Sequence, residues 1–281
     1  MRILITGANG YLGRALVQKF KKSDINVVEV VRQKLTEDQY ACDLLDVNDV
    51  SRLGYTVFPD LIIHCAAFVP KTKSEYDDHE LSLNNVMMLD NVISSTNCPI
   101  FYISSMTVYG GSSKVSNSED DNCNPKSEYG VSKYKGEVLL KKSGRNAIAV
   151  RIPGLFGGAR TTGLVYNTIN SLIRGEKPSL PSELLTWAAM DVYDAVESIV
   201  NLSKINFSGF NPINIAYEDV YSINNFVRIC ADLFKVTIEY DIAHPDFTFD
   251  LSYARNLGVL PDRDLKGAVT AYKASLCNER K

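Results

Sequence analysis

Residues 2–13 read Arg2-Ile3-Leu4-Ile5-Thr6-Gly7-Ala8-Asn9-Gly10-Tyr11-Leu12-Gly13, and their order decides the fold. A short apolar run enters a turn with glycines at 7, 10 and 13, and an amphipathic segment follows. Such a strand-to-helix turn needs one position free of the usual restriction on φ and another where backbone can approach a ligand closely. The third glycine lets the helix pack tightly against the strand. Free N–H groups at the helix start then face phosphate oxygens. Strand, turn and helix stand in the required order, so Gly7, Gly10 and Gly13 predict a dinucleotide-binding site.

Outward from that turn, Val- and Ile-rich runs at 27–31, 61–64, 100–104 and 147–152 are mostly apolar at successive positions. That pattern suits strands buried on both faces of a parallel sheet. Helix-like stretches at 11–22, 81–95 and 127–142 separate them, which predicts right-handed βαβ units. The expected fold is α/β: a Rossmann-type, doubly wound parallel sheet with a smaller mixed C-terminal region for substrate. From about residue 154 the rhythm becomes irregular, with Gly157-Gly158, Pro178 and Pro181 as punctuation. Helices are expected at 191–203 and 222–234, the latter capped by Ser222, and short strands at 213–216 and 237–240. The domain boundary is drawn at 1–155 and 156–281, with the 191–203 helix returning to the first domain. The polar stretch 110–122 is expected to be a mobile loop.

Composition excludes several classes. Of 281 residues 45% are hydrophobic, and the 30 Lys+Arg against 33 Asp+Glu leave a net charge of −3. That offers no basic footprint for nucleic acid or anionic lipid. No apolar run approaches the roughly 20 residues of a membrane span, and the N-terminal residues lack the pattern of a signal peptide. Cys42, Cys65, Cys98, Cys123, Cys230 and Cys277 are scattered with no C-x-x-C pair, as are His64, His79 and His244. The expectation is a cytoplasmic protein without disulfides or a metal centre.

The choice of cofactor turns on the end of the second strand, Val27-Val28-Glu29-Val30-Val31-Arg32. An NAD-selective site usually places an acidic residue there for the ribose 2′-OH. Here Val31 and Arg32 fall at that position, and Glu29 comes too early. Arg32 offers a planar cation for a 2′-phosphate, so NADP(H) is favoured with NAD as the alternative; the plain reading of Arg32 is a solvated surface cation.

Further motifs follow in order: His64-Cys65-Ala66-Ala67, Ser104-Ser105-Met106-Thr107-Val108-Tyr109-Gly110, Tyr129-Gly-Val-Ser-Lys133, Glu137, and Arg151-Ile152-Pro153 with Phe156-Gly157. Together they resemble the extended short-chain dehydrogenase/reductase family, in its nucleotide-sugar epimerase, dehydratase and reductase branch. The resemblance is strong over 1–160 and weaker through 190–195, 214–216 and 257–258. It implies cofactor contacts at Asn9, Tyr11, Leu12, Ala66, Ala67 and Pro153, besides the glycines. Asp43-Leu44 resembles the family's adenine contact, with an exposed loop as the rival reading of Asp43. Asn85, in the helix before the serine strand, resembles a structural asparagine of the family and is counted with the cofactor-binding residues, with Asn84 as the rival register. His64 reads as a packed strand residue rather than a catalyst.

The Tyr129/Lys133 pair can be argued directly. A free tyrosine is only about one part in a thousand phenolate at pH 7. Lys133 lies one turn on, at i+4, and its charge favours the phenolate. Tyr129 can then exchange a proton with a sugar hydroxyl or carbonyl. By resemblance Lys133 also holds the nicotinamide ribose, and Ser105 binds the same substrate oxygen, with Ser104 and Thr107 as neighbouring candidates. Ser105, Met106, Thr107 and Tyr129 form the expected substrate edge.

Departures from the family narrow the chemistry. Met106 and Thr107 stand where the resembling dehydratases carry Asp-Glu. No histidine lies between 80 and 243, although 3,5-epimerase/reductases need a Cys-His pair. Trp187 replaces an arginine that contacts the nucleotide diphosphate, leaving Arg160, Arg174 and Arg255 as candidates. The leading expectation is an NADP(H)-dependent reductase of a 4-keto nucleotide sugar, or of another small carbonyl substrate, serving deoxysugar or polysaccharide biosynthesis. A 4-epimerase with tightly held NAD is the alternative, and a non-catalytic dinucleotide-binding subunit is the contrasting class. The resemblance further implies a homodimer packed through 81–95 and 127–142.

Overall fold

A computed structural model describes residues 1–110 and 116–278. The chain begins β1 (Arg2–Thr6), α1 (Tyr11–Lys21), β2 (Asn26–Val31), β3 (Tyr40–Ala41), α2 (Val47–Thr56) and β4 (Leu61–His64). It continues through α3 (Lys73–Tyr76), α4 (His79–Ser95), β5 (Ile100–Ser105), a 3-10 turn at Met106–Tyr109 and β6 (Ser116–Asn117). Then come α5 (Glu128–Lys142), β7 (Ala147–Ile152), β8 (Gly154–Phe156), α6 (Leu164–Ile173), β9 (Ala189–Asp191), α7 (Val192–Leu202) and β10 (Phe210–Asn214). The last elements are α8 (Ile223–Phe234), β11 (Thr248–Phe249), α9 (Ser252–Asn256) and α10 (Leu265–Asn278).

The main sheet has seven strands in the order β10-β7-β5-β4-β1-β2-β3. Strands β3, β2, β1, β4 and β5 pair in parallel. The order reverses between β1 and β4, and a doubly wound sheet binds its ligand in the crevice beyond the carboxyl ends of such strands. The expected Rossmann-type fold is therefore present. Its strands are largely apolar at successive positions, and Leu4, Ile62, Ile100, Tyr102, Ala147 and Ala149 share one core with Leu53, Leu89, Val92 and Leu140.

Two compact units are distinguished. The first comprises 1–110, 119–151 and 200–213; the second comprises 116–118, 152–199 and 214–278. The expected boundary at 155 thus lies a few residues beyond the observed one, and the chain rejoins the first unit at 200–213 to supply β10. Two expected strands differ. The segment 213–216 pairs earlier, as Phe210–Asn214, because Pro212 is tolerated on the edge strand of the sheet. The segment 237–240 is not a strand; the Tyr240 hydroxyl instead donates to the Pro181 carbonyl, 2.7 Å away, and meets His244. Of the expected mobile loop at 110–122, residues 111–115 lie outside the described residues.

Candidate active site

Helix α1 begins at Gly10 without any side-chain hydrogen bond to cap it, whereas Asp46, Asp78, Ser127 and Ser222 cap α2, α4, α5 and α8 with their own side chains. A glycine entry puts no side chain over the start of α1, and a helix N-terminus of that kind suits an anionic group. Gly7 has φ +65°, and a Cβ there would stand 2.8 Å from the Ala66 backbone. A Cβ on Gly13 would collide with the Gly7 carbonyl oxygen. The turn after β1 therefore presses against the segment after β4, at the point where the strand order reverses. These features fit a dinucleotide pyrophosphate, and Gly7, Gly10, Tyr11, Leu12, Gly13, Ala66 and Ala67 are the residues gathered there.

Thr6 locks this junction. Its Oγ1 accepts from the Ala66 N–H at 3.3 Å and bonds His64 Nδ1 at 3.0 Å. Burial, helped by the Lys133 charge, pushes the His64 pKa down to about 3, so the ring is neutral. His64 stacks on Tyr102 with ring centres 6.0 Å apart, and its Nε2 is buried without a hydrogen-bond partner among the described residues. That is the packed strand residue the sequence suggests. Asn85 gives both amide atoms to the Phe68 backbone, accepting at 2.7 Å and donating at 3.1 Å. It shapes the loop after β4, as a structural asparagine does.

Around the adenosine edge, Arg32 is exposed directly after β2. The Asn9 side chain donates to the Gln33 carbonyl and accepts from Gln39; it braces the turn. The Asp43 carboxylate accepts from the Leu45 N–H at 3.0 Å and is exposed, while Leu44 is part of the core. Leu44 can offer a ligand only backbone or the edge of a buried side chain.

The candidate catalytic groups come from β5 and α5. Ser127 caps α5 by accepting from the Gly130 N–H at 3.1 Å, which fixes Tyr129 in the first turn. Tyr129 and Lys133 then share a helix face, and the Lys133 ammonium lies 5.7 Å from the Tyr129 ring centre. Lys133 is buried and donates to the Ile103 carbonyl at 2.8 Å, which ties α5 to the strand that ends in Ser105. Burial pulls the Lys133 pKa down to about 8. Burial, followed by the neighbouring Tyr76, pushes the Tyr129 hydroxyl well above the ordinary tyrosine value.

The two serines have separate tasks. Ser104 is buried and donates to Glu137 at 2.6 Å. Ser105 Oγ accepts from the Thr107 N–H at 3.2 Å and the Thr107 hydroxyl at 3.0 Å. With both lone pairs engaged, Ser105 retains its own proton to donate. Met106 and Thr107 are half-buried in the 3-10 turn. In the second unit, Pro153 is buried and Trp187 packs on Phe226. Arg174 pairs with Glu176, Arg255 with Glu218, and Arg160 donates to the Leu155 carbonyl.

Comparison with known proteins gives a consistent picture. The model of the RmlD substrate binding domain family matches residues 1–179. Methionine adenosyltransferase 2 subunit beta of Bos taurus is 32% identical over 159 residues, covering 56% of this chain and 47% of that protein. Spore coat polysaccharide biosynthesis protein SpsK of Bacillus subtilis (strain 168) is 25% identical over 159 residues, covering 56% and 54%. The chain spans about half the length of the curated relatives it matches. A solved structure of MoeE5 in complex with UDP-glucose and NAD superposes with TM-score 0.81 at 25% identity, covering all of both chains. The chain belongs to the RmlD substrate binding domain family, within the extended short-chain dehydrogenase/reductases.

Proposed function

We propose that this protein is an NADP(H)-dependent reductase of a 4-keto nucleotide sugar, with Ser105, Tyr129 and Lys133 as its catalytic residues. The observation that carries this reading is that Tyr129 and Lys133 share one face of α5, which Lys133 ties to the strand ending in Ser105. Ser105 has both lone pairs engaged by Thr107 and keeps its own proton to donate. Ser105 and Tyr129 can both donate to a carbonyl oxygen, which gains negative charge as it is reduced. Tyr129 gives up its proton to the developing alkoxide, and the Lys133 cation favours the phenolate that remains. Gly7, Gly10 and Gly13 with the start of α1 would hold the pyrophosphate of a nicotinamide cofactor and Arg32 its 2′-phosphate, and the cofactor would supply the hydride there.

SpsK, named for polysaccharide biosynthesis, supports that setting, and the UDP-glucose and NAD bound to MoeE5 support the ligand class. The NAD of that complex favours a 4-epimerase as the second oxidoreductase reading. The relatives named as a subunit of methionine adenosyltransferase favour a dinucleotide-binding subunit without turnover. A homodimer through α4 and α5 is part of the proposal, supported by exposed Leu83 (48%) and Met87 (42%) on α4 and Tyr134 (37%) on α5.

The test is reduction of a panel of 4-keto nucleotide sugars by NADPH and NADH, with Tyr129→Phe beside the parent. The variant should lose about 10²–10⁴ in turnover while binding NADPH as before. Equal activity of parent and variant overturns the mechanism. Cofactor that survives dialysis and copurifies as NAD favours the epimerase, and dinucleotide binding without any turnover favours the subunit.

A further inference from the structure

One buried glutamine ties together the three segments around the adenosine edge. Gln39 is 6% exposed, although it lies in the polar stretch after β2. Its amide nitrogen donates to Asn9 Oδ1 at 2.8 Å and to Glu29 Oε2 at 2.9 Å. Its amide oxygen accepts from the Leu35 N–H at 2.8 Å and from Asn9 Nδ2 at 3.4 Å. Asn9 in turn donates to the Gln33 carbonyl at 3.2 Å, and its own carbonyl accepts from Arg14 at 3.2 Å. The other Glu29 oxygen meets Lys21 at 2.5 Å. Lys21 is also 3.5 Å from Asp38.

Two consequences follow. Glu29 is the sole carboxylate of β2, and both its oxygens are engaged by Lys21 and Gln39 rather than presented to a ribose diol. The backbone that carries Arg32 is fastened to the glycine turn on its far side, through Gln33 and Leu35. Arg32 is an exposed cation between Val31, whose carbonyl accepts from the Cys42 N–H, and the anchored Gln33.

We propose that Gln39 is a positioning residue for cofactor selection: it keeps the Glu29 carboxylate engaged beside Lys21 and holds the segment after Arg32 against the glycine turn, so that the site prefers a 2′-phosphate. This rests on the NADP(H) reading above. Arg14, bonded to the turn itself, adds positive charge on the same side.

The test needs no turnover. Binding of 2′,5′-ADP and of 5′-ADP to the full chain is measured by calorimetry, with a thermal melt as a folding control. The parent should favour 2′,5′-ADP, and Arg32→Ala should abolish that preference. Gln39→Ala should cut it by about tenfold, as loss of a charge-assisted contact does, with 5′-ADP binding nearly unchanged. Gln39→Ala combined with Glu29→Gln should recover part of the preference, since no freed carboxylate then repels the phosphate; a residue that merely supports the fold would show no such recovery. A parent that favours 5′-ADP overturns the NADP(H) reading, and this inference with it. A parent and Arg32→Ala that behave as expected, with Gln39→Ala keeping the full preference, overturn the role of Gln39 alone. Should Gln39→Ala fail to fold, Gln39→Glu decides: placing a second carboxylate beside Glu29 must weaken 2′,5′-ADP selectively, and an unchanged ratio refutes the proposal.

Discussion

Two cations buried in the first unit, Arg151 and Lys133, are held in opposite ways. Arg151 spends its guanidinium on both oxygens of Glu137 at 3.1 and 2.7 Å, on the Tyr109 hydroxyl at 3.0 Å and on the Glu119 carbonyl at 3.3 Å. Glu137 also accepts from Ser104. Its carboxylate raises the Arg151 pKa against the opposing effect of burial. Lys133, one turn before Glu137 on the same helix, has among the described residues one carbonyl partner and the faces of Tyr102 and Tyr129. Its ammonium is under-compensated, so burial wins and the pKa falls. A fully paired buried charge is a strut; a poorly paired one is a group kept ready to interact with something else.

The largest expected effect breaks the strut. Glu137→Ala leaves the Arg151 charge buried without its partner and should cost about 3–5 kcal/mol in urea unfolding. A loss below about 1 kcal/mol would show that water or a rearrangement already compensates Arg151.

A smaller effect, read from pH, sharpens the other half of the contrast. The folded chain disfavours the Lys133 ammonium, so the unfolded chain binds more protons between about pH 8 and the ordinary lysine value near 10.5. Stability contributed at this site should therefore rise with pH across that window. Lys133→Met removes the group, and the difference between parent and variant unfolding curves should change across that window and level off above it. A pH-independent difference would mean that Lys133 is paired as well as Arg151 is. The Asn85→Ala substitution should have the smallest effect. It frees the Phe68 N–H and carbonyl and should cost about 1–3 kcal/mol, seen as a lower urea midpoint and faster hydrogen exchange at Phe68.

Much of the fold is legible in the residue pattern alone. The element order β1-α1-β2 and the strands at 61–64 and 147–152 follow from local apolar patterning, and Ser222 does cap α8 as its position suggests. The junction of Gly7 with Ala66 is legible only as two motifs 59 residues apart; their contact depends on β1 and β4 pairing in register. Gln39 is not legible at all. It lies in a polar stretch without periodicity, and its partners come from the turn and from β2. The placement of β10 escapes the pattern for a local reason, since Pro212 discourages a strand everywhere except at an edge.

The sequence by itself determined the strand–turn–helix entry, the i+4 relation of Tyr129 to Lys133 and the assignment to a dinucleotide-binding class. These depend on residues within a few positions of one another, where backbone geometry is nearly fixed by type and spacing. Only the tertiary structure decided which charges are compensated: Arg151 by Glu137, Glu29 by Lys21 and Gln39, and Lys133, among the described residues, by one carbonyl. Desolvation is felt by a side chain through everything packed around it, and those neighbours come from distant parts of the chain. For that reason the i+4 spacing speaks for the Lys133 charge beside Tyr129, whereas the burial that raises the Tyr129 pKa is read only from the fold.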